Sequence, residues 1–208
     1  MAWRCWRSAG TTRTSACVAV LVAWFSCVSV QTLSAQTSSL TVFAPERQDY
    51  ALALDELEVR FDDPRASQAF TLNLPAAATL AGGDSRAPIL RATATDSGAL
   101  VQIARDIEVR NAGVHVDLVL YEAGRSRSDV TRRVLTREVA VLFEPGADAA
   151  SLIGVVTSAR PRRLDGVEGA YVVEAMEPLD AIVLADSLRA MTDVKAAYPL
   201  LRARQFLR

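Results

Sequence analysis

Glu138-Val139-Ala140-Val141-Leu142-Phe143-Glu144-Pro145-Gly146-Ala147-Asp148 is the stretch on which the reading of the fold turns. Its first six residues are rich in β-branched and large apolar side chains and read as a strand. Glu144-Pro145-Gly146 reads as a turn, and Asp148 as the N-cap of a short helix ending at Val156. Downstream, Arg160 to Leu164 gives a second strand, Gly166 to Gly169 a turn, and Ala170 to Glu174 a third strand. Pro178 suits a first helical turn, and Ala181, Leu184, Ala185, Leu188 and Met191 share one helical face. Val194 to Leu201 is the last strand. Strand, helix, strand, strand, helix, strand predicts an α+β domain over 134–201, a ferredoxin-like antiparallel sheet with two helices on one face.

Upstream, Leu57, Val59 and Phe61 alternate with Glu56, Glu58 and Arg60, the period of a strand with one buried and one solvated face. Leu100, Ile103, Ala104 and Ile107 recur at helical spacing within Gly98 to Arg110, and Val114 to Leu120 alternates again. Laying Leu57 over Val139 and Val114 over Val194 aligns the outer strands of two similar units. This predicts a degenerate tandem pair whose first domain spans 51–121. Chance resemblance between strands is the competing explanation, since Asp62 to Leu90 is poorly patterned. Residues 36–50 read as a flexible lead-in, 122–133 as an exposed linker and 202–208 as an extended tail.

Arg4, Arg7 and Arg13 precede an apolar run from Cys17 to Val30 that falls short of the roughly 20 residues a membrane-spanning helix needs. Small residues follow, so 1–35 reads as a secretory signal peptide cut after Ala35, which sends the chain to the periplasm or the medium. An uncleaved anchor is the competing reading. Cys5, Cys17 and Cys27 all lie in that segment, which leaves the exported domain without disulfides or thiolate zinc sites. Removing three of 23 basic residues leaves 20 against 24 acids, a balance that disfavours nucleic acid as a partner. No membrane contact is expected after signal cleavage.

In the second half Val139, Val141 and Phe143 take one side of the first strand, and Ala140 and Leu142 the other. The last strand sets Val194, Ala196, Tyr198 and Leu200 against Ala197, Pro199 and Leu201. Two helices cover one face of a sheet, so the second apolar face predicts a docking surface. Ala140, Leu142, Ala197 and Leu201 are its candidate residues. The alternative is that the first half covers that face.

Leu135 to Asp148, together with Gly169 to Glu174 and Val194 to Pro199, resembles the prosegments of bacterial secreted, kexin-like subtilisin-type serine proteases. The resemblance spans about residues 134 to 204. It implies an intramolecular chaperone and temporary inhibitor of a subtilisin-like protease domain, present in cis or in trans. It also implies a tail, Phe206, Leu207 and Arg208, that enters the protease cleft as an added strand. Kexin-like processing favours paired basic residues, and Leu207-Arg208 is not a pair. The alternative from a different class is a secreted or periplasmic adhesion or scaffold module with no protease partner.

No catalytic, cofactor or metal site is expected in the chain itself. The Asp, His, Ser order and the glycine-flanked serine of a subtilase are missing. His115 and Asp117 share a strand face and read as solvated rather than as a base and its orienting acid. Asp55, Glu56, Glu58, Asp62 and Asp63 lack the glycine and spacing of a calcium loop. Arg125, Arg127, Arg132 and Arg133 read as solvated linker charges, and Gly82-Gly83-Asp84-Ser85 as a turn.

Overall fold

The structure is a computed structural model, and it describes residues 38–43, 46–63, 71–84 and 86–203. In chain order the elements are β1 (Ser38–Phe43), β2 (Arg47–Phe61), β3 (Ala78–Asp84), β4 (Ala87–Ala92), α1 (Ser97–Arg110) and β5 (Val114–Glu122). They continue as β6 (Arg132–Phe143), α2 (Ala149–Val156), β7 (Arg162–Arg163), β8 (Ala170–Glu174), α3 (Pro178–Arg189) and β9 (Val194–Ala203). The fold is mixed α+β, with every strand pairing antiparallel.

The strands form one sheet in the order β3-β4-β2-β5-β6-β8-β7, with β1 added to β2 and β9 to β6. β6 joins the halves. Its first residues pair with β5, Leu135 opposite Leu118, and its last residues pair with β8, Val139 opposite Val173. β9 runs along its other side, with Leu135 opposite Leu201 and Val141 opposite Ala197.

Helix ends follow the local chemistry. Asp96 caps α1 by accepting from Ala99 N at 2.8 Å, and Asp148 caps α2 by accepting from Ser151 N at 3.2 Å. Pro178 occupies the first turn of α3. Leu100, Ile103, Ala104 and Ile107 of α1 seal a first core against Leu57 and Leu118, and Leu135 joins it. Ile153 of α2 and Ala181, Leu184, Ala185 and Leu188 of α3 seal a second against Val139, Val141 and Phe143. Leu118, Leu135 and Leu201 are register partners on one side of the sheet, so both cores lie on that side. Leu179 and Ile182 of α3 reach the first core as well.

Two expectations are corrected. The lead-in is structured: β1 folds onto β2 with Ser38 opposite Leu52 and Phe43 opposite Arg47, and Val42 is fully buried. The alternation of Leu40 and Val42 with Ser39 and Thr41 is too short to stand out from the polar residues around it, yet both apolar side chains reach the first core. The segment 122–133 is the tip of the β5–β6 hairpin: Glu122 still belongs to β5, Arg132 and Arg133 already belong to β6, and Thr131 Oγ1 closes the turn by donating to Ser126 O at 2.9 Å. The poorly patterned region supplies the β3–β4 hairpin, and Leu72, Leu74 and Ala77 pack against the first core ahead of it.

Leu118→Ala should cost about 2–5 kcal/mol, the usual range for emptying a fully buried leucine site. Because β6 serves both cores, urea unfolding followed by circular dichroism should show one shifted transition. Two separated transitions, only one of them moved, would mean that the halves unfold independently.

Candidate functional site

The side of the sheet away from the helices carries two different surfaces. In the first half, β2 changes phase between Leu52 and Leu57, so that Glu56, Glu58 and Arg60 point there with the odd residues of β5, which brings them and His115, Asp117 and Tyr121 together with Arg132 of β6 and Arg202 of β9. Arg132 Nε donates to Glu56 Oε1 at 2.8 Å, and its Nη1 donates to Glu58 Oε2. Arg202 Nη2 donates to Glu58 Oε1 at 2.8 Å and to Asp117 Oδ2 at 3.0 Å. Arg60 lies 3.6 Å from the same Asp117 oxygen. Tyr121 completes the set with a 2.7 Å hydrogen bond to Glu56 Oε2, and the Arg127 guanidinium sits 5.2 Å above its ring.

These charges are buried although none of the described helices lies on this side: Glu58 is 7 %, Asp117 0 % and Arg132 5 % exposed. Burial pushes the Asp117 carboxyl up, against the pull of Arg202 and Arg60 and with the push of Glu58. Burial, then the hydrogen bond to Glu56, pushes the Tyr121 phenol up to about 12. Burial alone would lower Arg132, but Glu58 and Glu56 more than offset it and hold its charge firmly. Asp117 Oδ1 and Arg132 Nη2 are buried without a hydrogen-bond partner among the described residues.

The second half presents an apolar patch instead. Ala140, Leu142, Ala196 and Tyr198, with Leu164 and Val167 of the loop after β7, line a groove of 180 Å³. Ala140 is 9 % exposed, Leu142 is half-buried and Val167 is 51 % exposed.

Two of the four expected docking residues are corrected. Ala197 is fully buried in the second core opposite Val141, and Leu201 stands opposite Leu135 and packs on the first core. Alternation tells which residues share a side but not which side it is. A bulge at Lys195 also changes the phase: Leu142 faces Ala196, while Phe143 faces Val194. Val194 is therefore a core residue, and Ala196 and Tyr198 take the positions assigned to Ala197 and Leu201. Phe206, Leu207 and Arg208 lie outside the described residues.

His115 and Asp117 have separate partners: His115 Nε2 meets Asp62 Oδ1 at 2.7 Å, while Asp117 holds Arg202. Asp55 takes Arg127 at 2.7 Å, so the acidic cluster is met by arginines rather than gathered into a cage. Three arginines read as linker charges are structural: Arg132 is at the network's centre, Arg127 covers Tyr121, and Arg133 Nη2 bonds Glu122 at 2.5 Å. The sequence signal for this was complementary charge, the alternate acids Glu56 and Glu58 of β2 matched by Arg132 at the start of β6.

Arg132→Ala leaves Glu56 and Glu58 without their shared cation and should cost about 3–5 kcal/mol in chemical denaturation. Arg127→Ala, which breaks a largely exposed pair, should cost less than about 1 kcal/mol. Equal losses would show that the buried network carries no special weight. Tyr121→Phe tests the phenol. A raised folded-state pKa means that the unfolded chain ionises first, so wild type loses stability as pH rises from 10 towards 12. The phenylalanine variant lacks that loss. Its deficit of about 1 kcal/mol at neutral pH, from the missing hydrogen bond, should shrink over that window; a constant deficit would contradict the shift.

No protein-family model, curated protein or solved structure matches the chain.

Proposed function

We propose that the chain is an exported, non-catalytic docking module whose second half seats its helix-free sheet face on a subtilisin-like serine protease domain, in cis or in trans. There it acts as chaperone and inhibitor, as the resemblance of residues 134 to 204 implies. The observation that carries this reading is the contrast between the two halves of one face. The first half fills it with paired charges, while the second leaves Leu142, Ala196, Tyr198 and Val167 as an apolar groove. A stretch of apolar sheet without a covering layer is the physical mark of a docking surface.

The strand connections support the ferredoxin-like plan behind that reading. In the second half the order β9-β6-β8-β7, with α2 and α3 on one side, is that of a strand-helix-strand-strand-helix-strand unit. In the first half β5-β2-β4-β3 has the same order, with α1 before its last strand. Corresponding hydrogen bonds recur: Asp62 N to Gly113 O at 3.0 Å matches Glu144 N to Asp193 O at 2.9 Å, and Val114 N to Asn111 O matches Val194 N to Met191 O, both at 3.2 Å. These agreements favour a tandem pair in which one copy has kept an apolar outer face and the other has closed it with ion pairs.

The test is inhibition of several purified subtilisin-like proteases by the full mature chain. Slow, tight inhibition is expected, weakened at least tenfold by Leu142→Glu while the unfolding midpoint moves little. Equal loss of binding and stability would make Leu142 an internal residue. No inhibition at micromolar concentration would move the reading to a scaffold or adhesion module.

A further inference from the structure

The opposite side of the second half carries a second surface that the protease reading does not use. Met176 and Val183 are 85 % and 65 % exposed, and both line one groove beside the end of α2 and the start of α3. Between the helices runs a groove of 410 Å³ whose wall includes Val156, Met176, Val183 and Leu184, with Asp180 and Ser187 on it. Single exposed apolar residues are ordinary, but two on one groove, with Val156 and Leu184 on the same wall, make a patch.

The first half supplies an internal control. Setting α3 on α1 by their buried residues, Ala181, Leu184, Ala185 and Leu188 over Leu100, Ile103, Ala104 and Ile107, puts Val183 where α1 has Gln102, and Met176 where the first half has Thr95. Gln102 is exposed and donates to Asp106 Oδ1 at 2.8 Å, as a solvated helix face does. At the matching positions the second half is apolar, so solvent exposure on this fold does not by itself call for valine and methionine there. Methionine is also the side chain best able to adapt to an incoming surface.

The groove has one electrostatic sign. Asp180 is exposed on its wall, and α2 ends beside it with no basic residue in its last turn to set against the negative end of the helix. Arg105, the nearby cation, hydrogen-bonds Glu177 at 2.9 Å, and its charge also reaches Asp180. An apolar trough with an acidic wall suits an apolar helix face bordered by a basic side chain.

We propose that this α2–α3 groove binds an amphipathic helix of a partner protein, apolar residues at i, i+3, i+4 and i+7 in the trough and a flanking arginine or lysine on Asp180. The module then has two docking sides, sheet and helix, and the helix side works whether or not the sheet side meets a protease.

The experiment uses the full mature chain and two synthetic amphipathic helical peptides with leucines at i, i+3, i+4 and i+7, identical except for a single arginine or glutamate at the edge of the stripe. Fluorescence anisotropy should show the arginine peptide binding about tenfold more tightly, a difference of about 1.4 kcal/mol. Asp180→Asn should erase the preference, Asp180→Lys should invert it, and Val183→Glu should abolish binding of both peptides. Val183 is mostly exposed, so circular dichroism of that variant should match wild type. Equal affinity for the two peptides, binding that survives Val183→Glu, or self-association of the chain through this groove with no peptide bound would each overturn the proposal. None of these readouts involves a protease, so failure here and failure of the inhibitor reading are separate results.

Discussion

Strand β6 is the element on which the rest of the structure depends, because it gives fully buried residues to both cores and pairs with strands of both halves. Leu135, near its start, belongs to the first core, while Val139, Val141 and Phe143 belong to the second. Between them β6 carries extra residues relative to β9, since Leu135 faces Leu201 but Val139 already faces Pro199. Thr136 anchors that bulge by donating to Leu200 O at 3.1 Å. The two extra residues keep the apolar side chains on one side of the sheet while changing which neighbours they meet. A single strand thereby delivers leucine to one helix layer and valines to the next.

The ion network solves a problem created by that continuity. A helix-free sheet face is either wet, apolar or filled by paired polar groups, and the first half takes the last course. Removing ions from water costs several kcal/mol each, returned only when geometry is good and the remaining lone pairs are met. Arg132 meets this condition in part: its planar guanidinium holds Glu56 and Glu58 at once, which a lysine ammonium does less well, while its Nη2 is left without a partner among the described residues. Arg202 repeats the device from β9, bonding Glu58 of β2 and Asp117 of β5. The network therefore ties the final strand of the second half to the sheet of the first, adding orientation where hydrophobic packing is non-directional.

Elements whose order is local were legible in the sequence. Helix α1 was readable from its apolar spacing, α2 from Asp148 and α3 from Pro178, and the second half's strand succession followed from turns and β-branched runs. Elements whose order comes from a partner were not. β1 has a single fully buried valine, β3 contains Gly82 and Gly83, and both are defined by the strands beside them. The candidate site was half legible for a related reason. Ala140 and Leu142 lie on a strand whose alternation is unbroken there, whereas Ala197 and Leu201 needed knowledge of the Lys195 bulge and of β9's register. The buried role of Arg132 required pairing across a turn between two segments far apart in sequence.

The sheet's edges bear on where this molecule can be bound. An exposed edge is the usual place for a partner to add a strand, and the outer strands here are poor templates. β7 is only Arg162–Arg163, both exposed, and charged short edges discourage pairing. β9 carries Pro199, which has no N–H to offer, and the Arg189 guanidinium donates to the Ala197 carbonyl at 2.9 Å while its flat side lies 4.2 Å over the Phe43 ring of β1. At the far end, β3 is bent by an irregularity between Leu80 and Gly82, and a side chain at Gly83 would strike Ala87 O at 2.4 Å. With edges blunted on these strands, the surfaces left for recognition by the described residues are broad faces. The charges of the first half's face are largely paired with one another, so the apolar surfaces of the second half hold most of the binding energy still available.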